Sequence, residues 1–233
     1  MPPALVLKDL TKVFGKVHAL DALNLTLEIG SIHGFVGPNG AGKTTMLSIV
    51  AGLKRKTSGD ITFGIPFHQM MLMPDTPDFF PLLTAREVVD LARWPFRKEV
   101  DLDAVSKILE EVGLLDSADR QVGGFSRGMK QRLGLATALI GKPQLILLDE
   151  PCSALDPIGR REVLNTISQL RGKSTVLFST HILSDVEDVC DSVTVVNDGK
   201  ALYGGSVSGI PKSEGQSFED AVLGLLLSKG NVE

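Results

Sequence analysis

The stretch GPNGAGKTT, Gly37 to Thr45, constrains this chain more than any other part of it. It fits G-x-x-x-x-G-K-[ST] in full. It follows the apolar run IHGFVG and opens the helical segment KTTMLSIVAGL, which ends at Gly52. Strand, glycine-rich loop, helix is the context a phosphate-binding loop requires. Gly37, Gly40 and Gly42, with Pro38, Asn39 and Ala41 between them, let backbone N–H groups curl around phosphate oxygens without Cβ clashes. The dipole of the following helix adds positive potential. Lys43 is placed to bridge the β- and γ-phosphates and Thr44 to put its hydroxyl on Mg²⁺, with Thr45 completing the motif. A glycine-rich turn that matches by chance is the alternative, and the flanking strand and helix argue against it.

A second apolar run, LILLDEP, ends in two acids, Asp149 and Glu150. Asp149 is positioned to hold Mg²⁺ through water, and Glu150 to activate the water that attacks the γ-phosphate. A lone pair of acids after a core strand is also compatible with solvated strand-end charges. That alternative weakens once a phosphate loop lies upstream on the same sheet.

The rest of the chain reads as alternating strands and helices. LVLKDL, LNLTLEI, STVLFST and SVTVVN are strand patterns. Thr84, followed three residues later by Glu87, has the pattern of a capping box opening a helix to about Trp94. Val105, Ile108, Leu109 and Val112 mark one face of a second helix near 102–112. Alternation of this kind predicts an α/β fold with a largely parallel sheet. The helix-rich stretch from Thr84 to Gly141 interrupts it as an insert. Within that insert, GGFSRGMKQ places Ser126 as an N-cap, and a helix N-terminus is a ready anion site.

Bulk properties bound the function classes. The 233 residues are 43% hydrophobic and 22% charged, an ordinary globular composition. With 24 Lys and Arg against 28 Asp and Glu, the net charge of -4 leaves no footprint for nucleic acid, and no such partner is expected. The apolar runs, such as Leu145 to Leu148 and Leu223 to Leu227, fall far short of a membrane span. MPPALVLKDLTK meets charge too early for a signal peptide. A cytoplasmic chain is expected, with any membrane role exercised through a partner. Cys152 and Cys190 are expected as free thiols in the core.

With these motifs in place, the chain resembles the ATP-binding subunit of ABC (ATP-binding cassette) transporters over essentially its whole length. Phe125, Ser126, Arg127, Gly128 and Met129 occupy the five places of the family's L-S-G-G-Q signature. CSALDP resembles the loop after the strand acids, with Asp156 as its acid, and STHIL the switch segment, with His181 as its histidine. TKVFGKVHAL resembles the adenine contact, with Phe14 as the stacking ring. LMPDTPDFFPLLT resembles the loop to the helical subdomain, with Asp75 where the family has a Mg²⁺-linked glutamine, and Gln69 too far upstream to replace it.

The resemblance implies a P-loop, RecA-like core from 1–75 and 142–210, including a small antiparallel β part trimmed between Gly59 and Asp75. It implies a helical subdomain from 76–141 and a hinge with a helix from 211–233. It also implies ATP and Mg²⁺ as ligands and a second ABC ATPase subunit, identical or not, whose Ser126 and Gly128 face this one's γ-phosphate. Integral membrane permease subunits would hold the protein on the inner face of the membrane, and export is the expected direction. A non-transport ABC ATPase serving a nucleic-acid, ribosome or division complex is the alternative. Phe79 and Phe80 either meet a permease helix or plug the insert against the core. Arg127, at a place where the family has glycine, is expected to leave hydrolysis largely intact when replaced by glycine.

Overall fold

The computed structural model describes residues 2–213 and 215–227. Strand β1 (Leu5–Phe14) turns at Gly15 and Lys16 into β2 (Val17–Leu27). Gly15, at φ 59°, takes the left-handed turn that a side chain resists. Both strands run longer than LVLKDL and LNLTLEI predict. Their pairing survives three register shifts that break the simple alternation. β4 (Ser58–Phe63) pairs with the other edge of β1, giving a three-stranded antiparallel sheet in the order β2-β1-β4.

The second sheet has six strands in the order β5-β6-β7-β3-β8-β9. These are β3 (Ile32–Val36), β5 (Met70–Met73), β6 (Leu145–Asp149), β7 (Thr175–Thr180), β8 (Ser192–Asn197) and β9 (Lys200–Ser206). All pairings are parallel except β8 with β9. In β6, Leu145 and Leu147 join Leu7, Leu10, Met46 and Leu47 in one core, while Ile146 and Leu148 join Leu133, Leu135 and Ile167 in another. Burial on both faces explains why LILL reads as a continuous apolar run rather than an alternation. The fold is α/β with a P-loop core, as the alternation predicts.

Seven α-helices complete it among the described residues: α1 (Lys43–Val50), α2 (Ala85–Arg93), α3 (Asp103–Glu111), α4 (Arg127–Leu139), α5 (Pro157–Ser168), α6 (Leu183–Val189) and α7 (Phe218–Leu227). α2 carries the full capping box: Thr84 Oγ1 accepts from the Glu87 N–H and the Glu87 carboxylate accepts from the Thr84 N–H. α2, α3 and α4 fall between β5 and β6 in chain order. α7 packs against α6, β8 and β9 through the buried Phe218, Ala221 and Val222. Residues 228–233 of the expected C-terminal segment lie outside the described residues. No helix among the described residues is long and apolar enough to cross a membrane. Cys152 is buried and Cys190 partly so, and both are free. Burial pushes the Cys152 thiol up to about 12, which suppresses its reactive thiolate.

His33 on β3 is enclosed, with Nδ1 2.7 Å from Ser192 Oγ and Nε2 2.8 Å from Thr194 Oγ1. Burial lowers its pKa from 6.5 to about 4. Below pH 6.5 the unfolded chain takes up a proton that the folded chain refuses. Stability is therefore intact above that pH and lost as pH falls towards 4, by up to about 3 kcal/mol. Urea unfolding of the wild type and His33→Asn at pH 7.5 and pH 5 checks this. The wild type should lose more stability than the variant, and equal losses would refute it.

Candidate functional site

The carboxyl edge of the parallel sheet gathers the predicted residues. β3 delivers the glycine-rich loop, β6 delivers Asp149 and Glu150, and β7 delivers His181 one residue beyond its end. Asn39, Gly40, Gly42, Lys43, Thr44, Thr45, Asp75, Glu150 and His181 line one cavity of about 370 Å³. Lys43 is buried, and its ammonium donates to the carbonyls of Gly37 (2.8 Å) and Pro38 (3.2 Å). It also stands 3.2 Å from Glu150 Oε1. His181 Nδ1 lies 2.9 Å from Glu150 Oε2. A carboxylate only accepts, so Nδ1 is the donor of that bond. Glu150 thus bridges the lysine of one strand end and the histidine of another.

Asp149 is buried and accepts from Ser179 Oγ at 2.6 Å, so it is not a solvated strand-end charge. The same hydroxyl oxygen accepts the Glu150 N–H at 3.0 Å. Glu150 itself sits at φ 48°. Left-handed backbone in a non-glycine residue costs roughly 1–3 kcal/mol and persists only where neighbours fix it. The Glu150 carbonyl accepts from the Ser153 N–H (3.1 Å) and from Gln131 Nε2 (3.0 Å). Ser179, Ser153 and Gln131 lie within STHIL, CSALDP and GGFSRGMKQ without a role that the sequence assigns them.

Asp75 accepts from Ser153 Oγ at 3.0 Å and lies 4.0 Å from the Arg127 guanidinium. Gln69 precedes β5, at the opposite end of that strand. Mg²⁺ favours hard oxygen donors and is usually held by one or two carboxylates together with phosphate oxygens. The Thr44 hydroxyl and the Asp75 carboxylate in the cavity, with Asp149 beside it, fit that donor set. No cluster of three His, Cys, Asp or Glu occurs among the described residues, so the protein alone offers no complete cage.

Ser126, Gly128 and Asp156 line a different cavity, of about 550 Å³, to which the glycine-rich loop contributes nothing. Ser126 caps α4 by accepting the Met129 N–H at 3.2 Å. Asp156 caps α5 by accepting the Gly159 N–H at 2.7 Å. A Cβ on Gly128 would stand 3.2 Å from Leu155 Cδ2, so glycine here lets the two capped turns approach. Arg160, on α5, meets the buried Asp185, on α6, at 2.6 Å and ties the Asp156 helix to the helix after His181. Arg127 is the first residue of α4, in ordinary helical backbone, and its side chain is exposed. An exposed pair at 4.0 Å is worth about 1 kcal/mol at most. Arg127→Gly is accordingly expected to keep ATP turnover within tenfold of wild type, and a larger loss would give the arginine a direct part.

Phe14 is half exposed at the end of β1 and does not line the phosphate-loop cavity. Lys12 Nζ lies 4.6 Å and Lys54 Nζ 5.9 Å from its ring centroid. The two phenylalanines of the proline-rich loop part company. Phe79 packs on the core, while Phe80 is exposed, as are Leu82, Leu91 and Trp94.

Residues 20–153 match the sequence model of the family described as ABC transporter. The bacitracin transport ATP-binding protein BcrA of Bacillus licheniformis is 40% identical over 207 residues, covering 83% of this chain and 67% of its own length. The lantibiotic transport ATP-binding protein SrtF of Streptococcus pyogenes is 36% identical over 226 residues, covering 94% of this chain and 97% of its own. A solved structure of the ATP binding subunit of an ABC transporter superposes with a TM-score of 0.85 at 26% identity, over 95% of this chain and 99% of that one.

Proposed function

The chain belongs to the ABC transporter family as an ATP-binding subunit, and on that premise we propose that it hydrolyses ATP in a face-to-face dimer around two ATP molecules. The dimer powers substrate movement, in the direction of export, through integral membrane permease subunits. One observation supports the dimer: the residues expected to meet phosphate line two cavities, which share Arg127. Lys43, Thr44, Glu150 and His181 line one, and Ser126, Gly128 and Asp156 line the other. Each set completes its counterpart on a second subunit. Relatives named for bacitracin transport and lantibiotic transport support the transport reading.

In this reading the loop N–H groups of Gly37 to Thr45 and the Lys43 ammonium hold the β- and γ-phosphates and spread their charge. Thr44, Asp75 and Asp149 would hold Mg²⁺, which would supply further neutralisation of the phosphate oxygens. Glu150 takes a proton from the water that adds to the γ-phosphorus as the bond to the bridging oxygen breaks. With Nδ1 donating to Glu150, a neutral His181 presents an acceptor at Nε2 that can hold the attacking water. Donation to the γ-phosphate from Nε2 requires the imidazolium. Adenine stacks on Phe14 by displacing one of its two lysines. The residues 76–141 act as the helical subdomain, and the core and C-terminal segments take the bounds 1–75, 142–210 and 211–233. The protein sits on the cytoplasmic face of the membrane through its permease.

The specific ATPase activity of the purified chain is expected to rise with protein concentration, because two copies complete each site. Activity independent of concentration, in a chain that sediments as a monomer, would overturn the dimer. Phe80 and its exposed apolar neighbours form the permease contact. Phe80→Ala is expected to cut recovery of the chain with detergent-solubilised membrane subunits severalfold while the isolated chain keeps its ATPase activity. Full recovery together with normal transport would remove the contact from that surface.

A further inference from the structure

We propose that Gln131 is the positioning residue that connects the signature segment to the catalytic glutamate of the same subunit. The inference rests on the reading of Glu150 as the base. Gln131 lies on α4, five residues beyond the cap Ser126, so about 7–8 Å along the helix axis. It is 1% exposed. Its Nε2 donates to the Glu150 carbonyl at 3.0 Å, while its buried Oε1 has no hydrogen-bond partner among the described residues.

A buried amide that satisfies only one of its ends weakens a fold relative to an apolar side chain of the same length. Packing alone would therefore favour methionine or leucine at this place. What glutamine adds is a hydrogen bond to one particular carbonyl. That carbonyl belongs to a residue at φ 48°, a conformation that holds only when its surroundings over-determine it. Ser179 fixes the peptide before Glu150, through Oγ and its carbonyl, and Ser153 and Gln131 fix the peptide after it. The orientation of those two peptides sets where the carboxylate points, and here it points to Lys43 and His181.

Gln131 is the one member of this set that comes from the helical stretch between β5 and β6. The same helix presents Ser126 and Gly128 at its start, on a cavity that the glycine-rich loop does not line. A phosphate that engages Ser126 from the partner's side pulls on one end of a rigid helix whose second turn grips Glu150. Occupancy of one ATP site is thereby passed to the base of the other.

Gln131→Met in the full chain tests this. The expected result is a fall in kcat of at least tenfold, with KM for ATP and the affinity for a fluorescent ATP analogue within twofold of wild type. The melting temperature is expected to be unchanged or higher, which a purely structural role would not give. In a Glu150→Gln background the same substitution should change the residual turnover by less than twofold, because the base it positions is already gone. The proposal is overturned if kcat stays within twofold of wild type, if melting temperature and nucleotide affinity fall along with kcat, or if the loss is equal in both backgrounds. Gln131→Leu, judged by the same measurements, serves if the methionine variant does not bind the analogue. A Glu150→Gln chain that turns over normally refutes the base itself, an outcome separate from any result at Gln131.

Discussion

Glu150→Gln is expected to bind ATP with near wild-type affinity and to hydrolyse it 10²–10⁴-fold more slowly, the range a positioned general base contributes. The substitution keeps the side chain's shape. Its amide can still accept from His181 or Lys43 through the oxygen, but the group that would receive the water's proton is gone. The backbone at φ 48°, clamped by Ser179, Ser153 and Gln131, involves no side-chain atom of Glu150 and should survive. Removing the negative charge beside Lys43, 3.2 Å away, also leaves the ammonium freer to hold phosphate. ATP-bound dimers should accumulate and be visible by sedimentation in excess ATP. Steady-state ATPase assays at saturating ATP decide the matter, and normal turnover would remove Glu150 from the base role.

Gly42→Ala is expected to abolish measurable ATP binding and to destabilise the fold by about 2 kcal/mol or more, through strain and overpacking together. Gly42 sits at φ 99° just before α1, and a Cβ there would stand 2.3 Å from the Ala19 carbonyl oxygen and 2.9 Å from Leu20 Cδ2. β2 backbone cannot yield without disturbing its pairing with β1. The loop must therefore move, carrying Lys43 and Thr44 with it. Gly40→Ala provides the comparison. Gly40 also has positive φ, 86°, but open space around the position of its missing Cβ, so only the conformational strain remains. Urea unfolding and analogue binding should rank Gly42→Ala well below Gly40→Ala. Equal effects would show that the contact with Ala19 is not what requires glycine.

Much of the site is legible in the residues because its parts are local. The strand–loop–helix context of Gly37 to Thr45 lies within one short segment, as do the capped starts of α2 and α4. Local patterns do not say which capped turn faces which cavity. Asp156 reads from sequence as a nucleotide contact. The structure gives its carboxylate the Gly159 N–H as a partner and sets it in a cavity with Ser126 that Lys43 does not line. Phe79 and Phe80, adjacent in the chain, separate into a core residue and a surface one. Neither residue lies in a strand or helix, so no periodicity assigns a side, and only the packed insert decides which ring meets solvent.

The sequence by itself determined the α/β fold, the strand, glycine-rich loop and helix in succession, and the acids at the end of a buried strand. Those features are written in periodicity and in motifs a few residues long. Only the tertiary structure decided how Glu150 is held. Its partners Lys43, Gln131, Ser179 and His181 arrive from α1, α4, β7 and the turn after β7, and the hydrogen bonds to Ser179 and His181 span 29 and 31 residues. Contacts of that length depend on the sheet order that brings β6 beside β7 and β7 beside β3, which no single segment specifies. A hydrogen bond is made by atoms within about 3 Å of one another, whatever their distance along the chain.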